Sequence, residues 1–565
     1  MAIGNPSVSP AVITREIDLT NGVPNSSSST GAMVGSFRWG PADEPILVNN
    51  EGTLVSTFGN PDDDTSVDFH SAAYFLKYSS DLYIVRMVDE DSALNACDDS
   101  SGVALIKNLD HFEEQEASLT GDLYAKYPGD LGNSLKVEIC NDSDYDSWAY
   151  KDEFDAAPGL SQFAEDIGAT GTDEVHVVVL DEDGEISGTK GKVLEVFPFV
   201  SVGTNAKNAD GTTNYIKNVI NNGSTYVWMA GIPGIATPVA ISNGSAMTTA
   251  ALQAKSLADG SMGNDLTQSD YQNGFDNFED KDTITVDMLI APSISSATDQ
   301  NSLVNDLVSI AAGTNGRKDC IVVASPARST IIGRAKSAMN AQIITDVNFT
   351  RSSYLVVDNN FLKVYDKYND KYVFIPAASS TAGLMAATDR TAAPWFSPAG
   401  TRRGQYLGVT ALAYTPSKTE RDTLYKNGIN PIANIPGNGV LLYGDKTHLN
   451  RPSAFDRINV RRLFLVIERA IAEAAENVLF EFNDEFTRAE FVNIVEPVLR
   501  DIKGRRGITD FSVVCDETNN TGDIIDANQF VASMFIKPAR SINFITLNFV
   551  AVRTGVSFEE VVGQV

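Results

Sequence analysis

The residues with the clearest capacity for chemistry are four carboxylates. Asp142, Asp144, Asp146 and Glu153 stand in the register of positions 1, 3, 5 and 12 of a calcium-binding loop. Such a loop converges oxygen ligands on one cation around a glycine turn, but Ser147 stands where the glycine belongs. A strand-like run, residues 135–139, precedes it where a helix is required, so no metal is expected there. Phosphate chemistry has no better support. The stretches GTNGRKD from Gly313 and GTKGK from Gly188 lack the G-x-x-x-x-G-K-[ST] spacing that wraps backbone N–H groups around phosphate, and no G-x-S-x-G elbow occurs. His70, His111, His176 and His448 are scattered without metal-ligand or nucleophile-base spacing. Cys97, Cys140, Cys320 and Cys515 form no C-x-x-C pair and read as four free thiols, three or more of them buried. Catalytic, cofactor-binding and metal residues are therefore all expected to be absent.

The elements themselves carry more information. In residues 459–549, Val460, Leu463, Phe464, Ile467, Ile471, Ala474 and Val478 recur at helical spacing. Arg461, Arg462, Glu468, Arg469, Glu473 and Glu476 fall between them as a charged back. Thr487 and Glu490 form a capping-box pattern that opens a second helix, bent at Pro497 and running toward Gly504. Beyond Gly507, β-branched and aromatic runs at 511–514, 530–536 and 542–552 read as strands. The result is an α+β module.

Here a family resemblance becomes specific. The helix pair, DFSVVCDETNNTGDIIDANQF, IKPARSINFITLNFVA and the tail TGVSFEEVV resemble, in order, the C-terminal domain of contractile-tail sheath proteins of myovirus-type bacteriophages. PAVITREIDL, YPGDLGNSLKVEI, IPAASSTAGLMAATD and PWFSPAGTRRG are similar to further segments of that family, whereas residues 90–280 resemble it poorly. The resemblance implies a non-enzymatic structural subunit that forms stacked hexameric rings around a tail tube and contracts to drive the tube through a host envelope. Its implied partners are further copies of itself, the tube protein, and baseplate and tail-terminator proteins. It would be assembled in the host cytoplasm and carried in the virion tail.

Composition fits that reading. The 565-residue chain is too long for one core. It has no apolar run long enough to span a bilayer and no basic-then-apolar leader pattern, so neither membrane nor signal peptide is expected. A net charge of −31 argues against nucleic acid. Residues 89–200 hold 27 Asp and Glu against 6 Lys and no Arg, whereas residues 451–506 balance 10 basic against 10 acidic side chains. An acidic segment beside a balanced one suggests a solvated exterior domain and an interior domain with partners of its own.

The expected architecture is an α+β and α/β multidomain chain. Residues 1–22 form an N-terminal arm, and residues 23–89 with 281–389 a discontinuous middle α/β domain. Residues 90–280 are a protruding, mostly-β insertion of one or two domains. Residues 390–554 are the inner C-terminal α+β domain, with a capped helix opening at Ser417 and Glu420, and residues 555–565 a C-terminal arm. Val12, Thr14 and Glu16 alternate with Ile13, Arg15 and Ile17 in a lone strand before the flexible NGVPNSSSSTG linker. Its plain reading is an edge strand in its own domain; the family resemblance implies an arm that pairs with a neighbouring subunit, together with Val556, Phe558, Val561 and Val562 at the other end. Lys503, Arg505 and Arg506 lie at a helix end, where cations suit the dipole and where Gly504 and Gly507 let the chain turn. They serve either as a cap or as the tube-facing surface. The alternative function is an α/β enzyme with an acidic β appendage, its site at the strand ends near Ala291 or Ser325.

Overall fold

The computed structural model describes residues 29–543. Both terminal strands read from sequence, and all but the first two residues of the 542–552 run, lie outside the described residues. The described chain is a mixed α/β protein that separates into two compact units, one of residues 29–465 with 540–543 and one of residues 466–539.

The first unit is organised on a six-stranded sheet. Before the long excursion the chain supplies β1 (Gly31–Gly35), β2 (Pro45–Val48), helices α1 (Glu51–Phe58) and α2 (Ser66–Leu76), and β3 (Leu82–Arg86). Within the excursion, β4 (Leu135–Cys140), β5 (Glu174–Asp181), β6 (Lys192–Ser201) and β7 (Gln253–Ser256) form an antiparallel sheet in the order β7-β4-β5-β6. Next comes α3 (Gln268–Asp276), whose Tyr271 and Phe275 pack into the core of the six-stranded sheet. After it follow β8 (Met288–Ile290), α4 (Ala297–Ala312), β9 (Ile321–Ala324), α5 (Lys336–Asp346) and β10 (Leu355–Val357).

The large sheet runs β10-β9-β8-β1-β3-β2, parallel throughout except for β2. Strands from both sides of the excursion thus meet where β1 pairs with β8. Both faces are buried, which is why these strands read as unbroken apolar runs. Ala32, Val34, Leu289, Val322 and Leu355 enter one core with Leu303 and Leu307 of α4. Met33, Ile84, Met288, Val323 and Val356 enter the other with Phe69 and Ala72 of α2. Two local expectations change. Residues 329–340, which the sequence alone gives as one helix, instead divide between a turn at Arg328–Ile331 and α5, because Gly333 takes a left-handed φ of 83° between them. Helix α1, not anticipated, starts where the Asn50 side chain accepts from Thr53 N and stops at Gly59, φ 76°.

Beyond β10, a three-stranded sheet is made by β11 (Phe361–Asp366), β12 (Lys371–Pro376) and, after helix α6 (Ala378–Thr391), β13 (Ala411–Leu412). Helix α7 (Lys418–Lys426) opens with the reciprocal Ser417–Glu420 capping box read from sequence, and β14 (Ile432–Ile435) pairs with β15 (Gly439–Leu442). These pieces converge on the fully buried turn Asp358-Asn359-Asn360. Ser325 Oγ donates to the Asp358 carboxylate at 2.9 Å and Thr381 Oγ1 at 3.4 Å. Asn359 Oδ1 accepts from Ile432 N at 2.7 Å, and Asn360 Nδ2 donates to the Tyr414 carbonyl at 2.7 Å.

Burial pushes the Asp358 carboxyl up to about 7. Between the unfolded carboxylate value and about 7 the folded chain holds a proton that the unfolded chain has released. The stability contributed by Asp358 is therefore present at acid pH and lost as pH rises through that window, by at most about 1.4 kcal/mol per pH unit. Denaturant titrations of the parent and Asp358→Asn should show the parent losing roughly 1–3 kcal/mol relative to the variant between pH 5 and pH 8. A pH-independent difference would refute this assignment.

Candidate functional site

Nothing in the described residues assembles the enzymatic alternative. Ser325, at the end of β9, spends its hydroxyl on Asp358 and accepts from Ala378 N inside a fully buried network, and Ala291 is buried as well. Around residues 142–153 the carboxylates do not converge: Asn141 caps a helical turn, Asp142–Tyr145, and Asp144 accepts from Leu252 N. Among the described residues, no group of three or more His, Cys, Asp or Glu could hold a metal ion. Arg317 of the GTNGRKD stretch is buried and donates to the carbonyls of Phe278 and Ile284, both at 2.7 Å. His448 is buried with its Nδ1 at 3.1 Å from Gly428 O, its pKa lowered to about 4 chiefly by burial. All four cysteines are buried and free.

Surfaces suited to assembly lie in residues 466–539. Helix α8 (Ile458–Glu476) enters this unit, and Ile467, Ala470, Ile471 and Ala474 are its buried stripe there. The charged back expected for its first turn is not found. Arg461 is buried over the rings of Tyr354 and Phe455 and donates to Ser353 Oγ, while Arg462 pairs with buried Asp389. Long aliphatic stems and partners explain how guanidinium groups sit on the apolar side.

Helix α9 (Glu485–Gly504) buries Phe491, Val495, Leu499 and Ile502. Its N-cap is Asp484, whose side chain accepts from Thr487 N at 2.8 Å, so the expected Thr487–Glu490 capping box is corrected. A carboxylate at that place satisfies an orphan N–H and also meets the positive end of the dipole. Pro497 lies inside this helix. Between the helices, Leu479, Phe480, Phe482 and Phe486 are exposed, Phe480 fully and at φ 68°. Sequence reading passed over this LFEFNDEF turn, although three phenylalanines flanking a helix break were a visible signal. Exposed apolar clusters of this kind mark contact surfaces.

The second half of the unit is an antiparallel pair, β16 (Ile508–Val514) and β17 (Ser533–Pro538), with a register shift between Ile508 and Asp510. The predicted strand at 530–536 thus begins later, because residues 530–532 belong to a loop held by Asn520, which donates to Val531 O and accepts from Val531 N. Among the described residues neither outer edge of this pair has a third strand, leaving rows of open backbone groups.

The three basic candidates, Lys503, Arg505 and Arg506, are exposed at the end of α9. Lys503 Nζ lies 3.1 Å from Asp510 Oδ1 and holds that carboxyl below its usual range, and Arg505 pairs with Asp501 at 3.7 Å. The turn does not use the glycines expected to allow it. Arg506 takes the left-handed conformation, φ 69°, while Gly507 N donates to Ile502 O at 2.9 Å and Arg506 N to Lys503 O at 3.1 Å. This is a Schellman termination with arginine in the place glycine prefers.

Comparison with known proteins places this arrangement. Residues 28–87 match the tail sheath protein Gp18 domain III N-terminal region, residues 264–448 the phage tail sheath protein central domain, and residues 450–551 the phage tail sheath C-terminal domain. The tail sheath protein of Vibrio phage KVP40 is 32% identical over 98% of this chain and 100% of its own length. That of Enterobacteria phage T4 is 31% identical over 98% and 99%. In fold, the chain is similar to the crystal structure of a sheath tail protein from Listeria innocua, with a TM-score of 0.54 at 13% identity over 90% of this chain and 95% of the other.

The left-handed arginine yields a stability prediction. Arg506→Gly should relieve the backbone cost of a side chain at positive φ and raise unfolding free energy by roughly 0.5–1 kcal/mol, read by denaturant titration. A destabilised Arg506→Gly would show that the arginine side chain is structurally required there.

Proposed function

This chain belongs to the contractile-tail sheath protein family of bacteriophages, and from that premise we propose that it is a structural subunit of a phage tail. It polymerises as stacked hexameric rings around a tail tube and, on contraction, drives the tube through the host envelope. The observation that carries this reading is the match with a tail sheath protein over 98% of this chain and 100% of the relative's length. Its partners are further copies of itself, the tube protein, and baseplate and tail-terminator proteins, and it resides in the virion after assembly in the host cytoplasm. No helix of the described residues is long and apolar enough to cross a membrane.

Assembly rests on exchanged strands. Residues 12–17 and 556–562 are strand-like in sequence, and the β16–β17 pair offers two open edges to such segments. A six-residue strand adds about five main-chain hydrogen bonds of about 1 kcal/mol each. The exposed turn around Phe480 supports the same reading, since an exposed apolar cluster suits a contact surface. Lys503, Arg505 and Arg506 face the tube through weak contacts that can break on contraction; the exposed pairs of Lys503 and Arg505 are readily exchanged for an acidic partner. The acidic residues 89–200 lie at large radius, where their repulsion keeps cylinders soluble.

Deleting residues 1–18 should leave a folded monomer that forms no tubes in negative-stain images. Tubes of normal length from that variant would eliminate the strand-exchange model. The triple substitution of Lys503, Arg505 and Arg506 by Glu should favour contracted, tube-free cylinders over extended tails, whereas a normal yield of extended sheath on tubes would make these residues a cap only.

A further inference from the structure

The excursion of the chain into residues 466–539 starts and finishes at one carboxylate. Asp445 is buried, and its carbonyl accepts from Ile458 N, 2.9 Å away, at the root of α8. Its Oδ1 accepts from Arg457 Nη1 at 2.9 Å and from Tyr425 Oη at 3.1 Å. Its Oδ2 accepts from Ser397 Oγ at 3.1 Å and from Ser541 Oγ at 2.7 Å. Asn543 reaches the same cluster. Its carboxamide lies 2.8 Å from Tyr425 Oη, and with the oxygen turned inward it accepts from Arg457 as well. Burial first, and then the Asp445 carboxylate, pushes the Tyr425 phenol up to about 12, so it stays a donor at neutral pH.

Between Ser541 and Asn543, Ile542 is left exposed. No apolar contact is therefore needed to explain why this segment stays on the body. What holds it is a set of polar bonds to a pocket whose own members, Asp445, Arg457, Tyr425 and Ser397, are also bonded to one another.

We infer that Asp445, Arg457 and Tyr425 form an anchor that grips Ser541 and Asn543 and so fixes the root of the chain that continues from there. Resting on the strand-exchange reading above, the anchor is the positioning device of the C-terminal arm. A strand offered to a neighbour from a fixed root searches a smaller volume than one offered from a free end, which raises its effective concentration at the acceptor edge. Polar bonds at a partly exposed site suit a device that must hold during assembly and yield when subunits move.

Trypsin provides the test, because Arg540 is exposed while the residue after the scissile bond, Ser541, is the one gripped. Cleavage there frees the fragment that begins at Ser541, which mass spectrometry follows in the full-length protein. The double variant Ser541→Ala with Asn543→Ala should release it roughly tenfold faster than the parent at an unchanged melting temperature, because only local opening is affected. Ser541→Thr, which keeps the hydroxyl, should restore the parent rate. An unchanged release rate in the double variant overturns the anchor. Negative-stain images of the same preparations test positioning: the double variant should give fewer and shorter cylinders, with Ser541→Thr rescuing them. Normal cylinders with fast release would show that the grip does not position the arm. If the parent itself forms no cylinders, the sheath reading fails, and the release rates still decide the anchor.

Discussion

The first unit depends on keeping one carboxylate dry. Asp358 follows the C-terminal end of β10 at a fully buried position, and the turn it opens is fully buried as well. Each group of that turn is spent on a different piece of chain: the end of β9 through Ser325, the first turn of α6 through Thr381, β14 through Ile432, and the approach to α7 through Tyr414. An isolated charge there would cost several kcal/mol, so burial holds the proton on and the hydroxyls around it stay satisfied. The parallel sheet and the later small sheets are consequently joined by a polar knot rather than by continuous strand pairing. Such a junction tolerates little rearrangement, because opening any one bond leaves a buried partner unpaired.

Much of the fold was legible because its strongest signals are local. Buried parallel strands such as 321–324 must be apolar on both faces, and the Ser417–Glu420 box states its own hydrogen bonds. Where two local signals competed, sequence reading chose the wrong one. Asp484 precedes α9 and Thr487 stands in its first turn, and the charged cap won over the box. Gly504 and Gly507 both flank its end, yet the residue between them and next to the cap, Arg506, takes the left-handed turn because the bond from Gly507 N to Ile502 O sets the chain path.

The functional surfaces were less legible, for a different reason. Charge patterning assigns Arg461 and Arg462 to solvent, since periodicity cannot see Ser353 or Asp389 arriving from more than 70 residues away. Conversely, the apolar turn at Phe480 and Phe482 scores as core by composition and is exposed in this chain. In both places residue type alone does not give the environment.

The pairing of β1 with β8 sets the order of events on the ribosome. Thr30 and Asp287, bonded at the edge of that pairing, are 257 residues apart. At translation rates of about 5–20 residues per second, roughly 10–50 s separate the emergence of β1 from that of its partner. During that interval β1, whose five residues are all buried in the finished sheet, has only β3 beside it. The antiparallel excursion sheet has its strands complete first and can close on its own contacts, shortening the effective loop that the later pairing must span. The nascent chain thus carries an unfinished parallel edge for tens of seconds, in a cell that must hold many copies of it apart until β8 arrives.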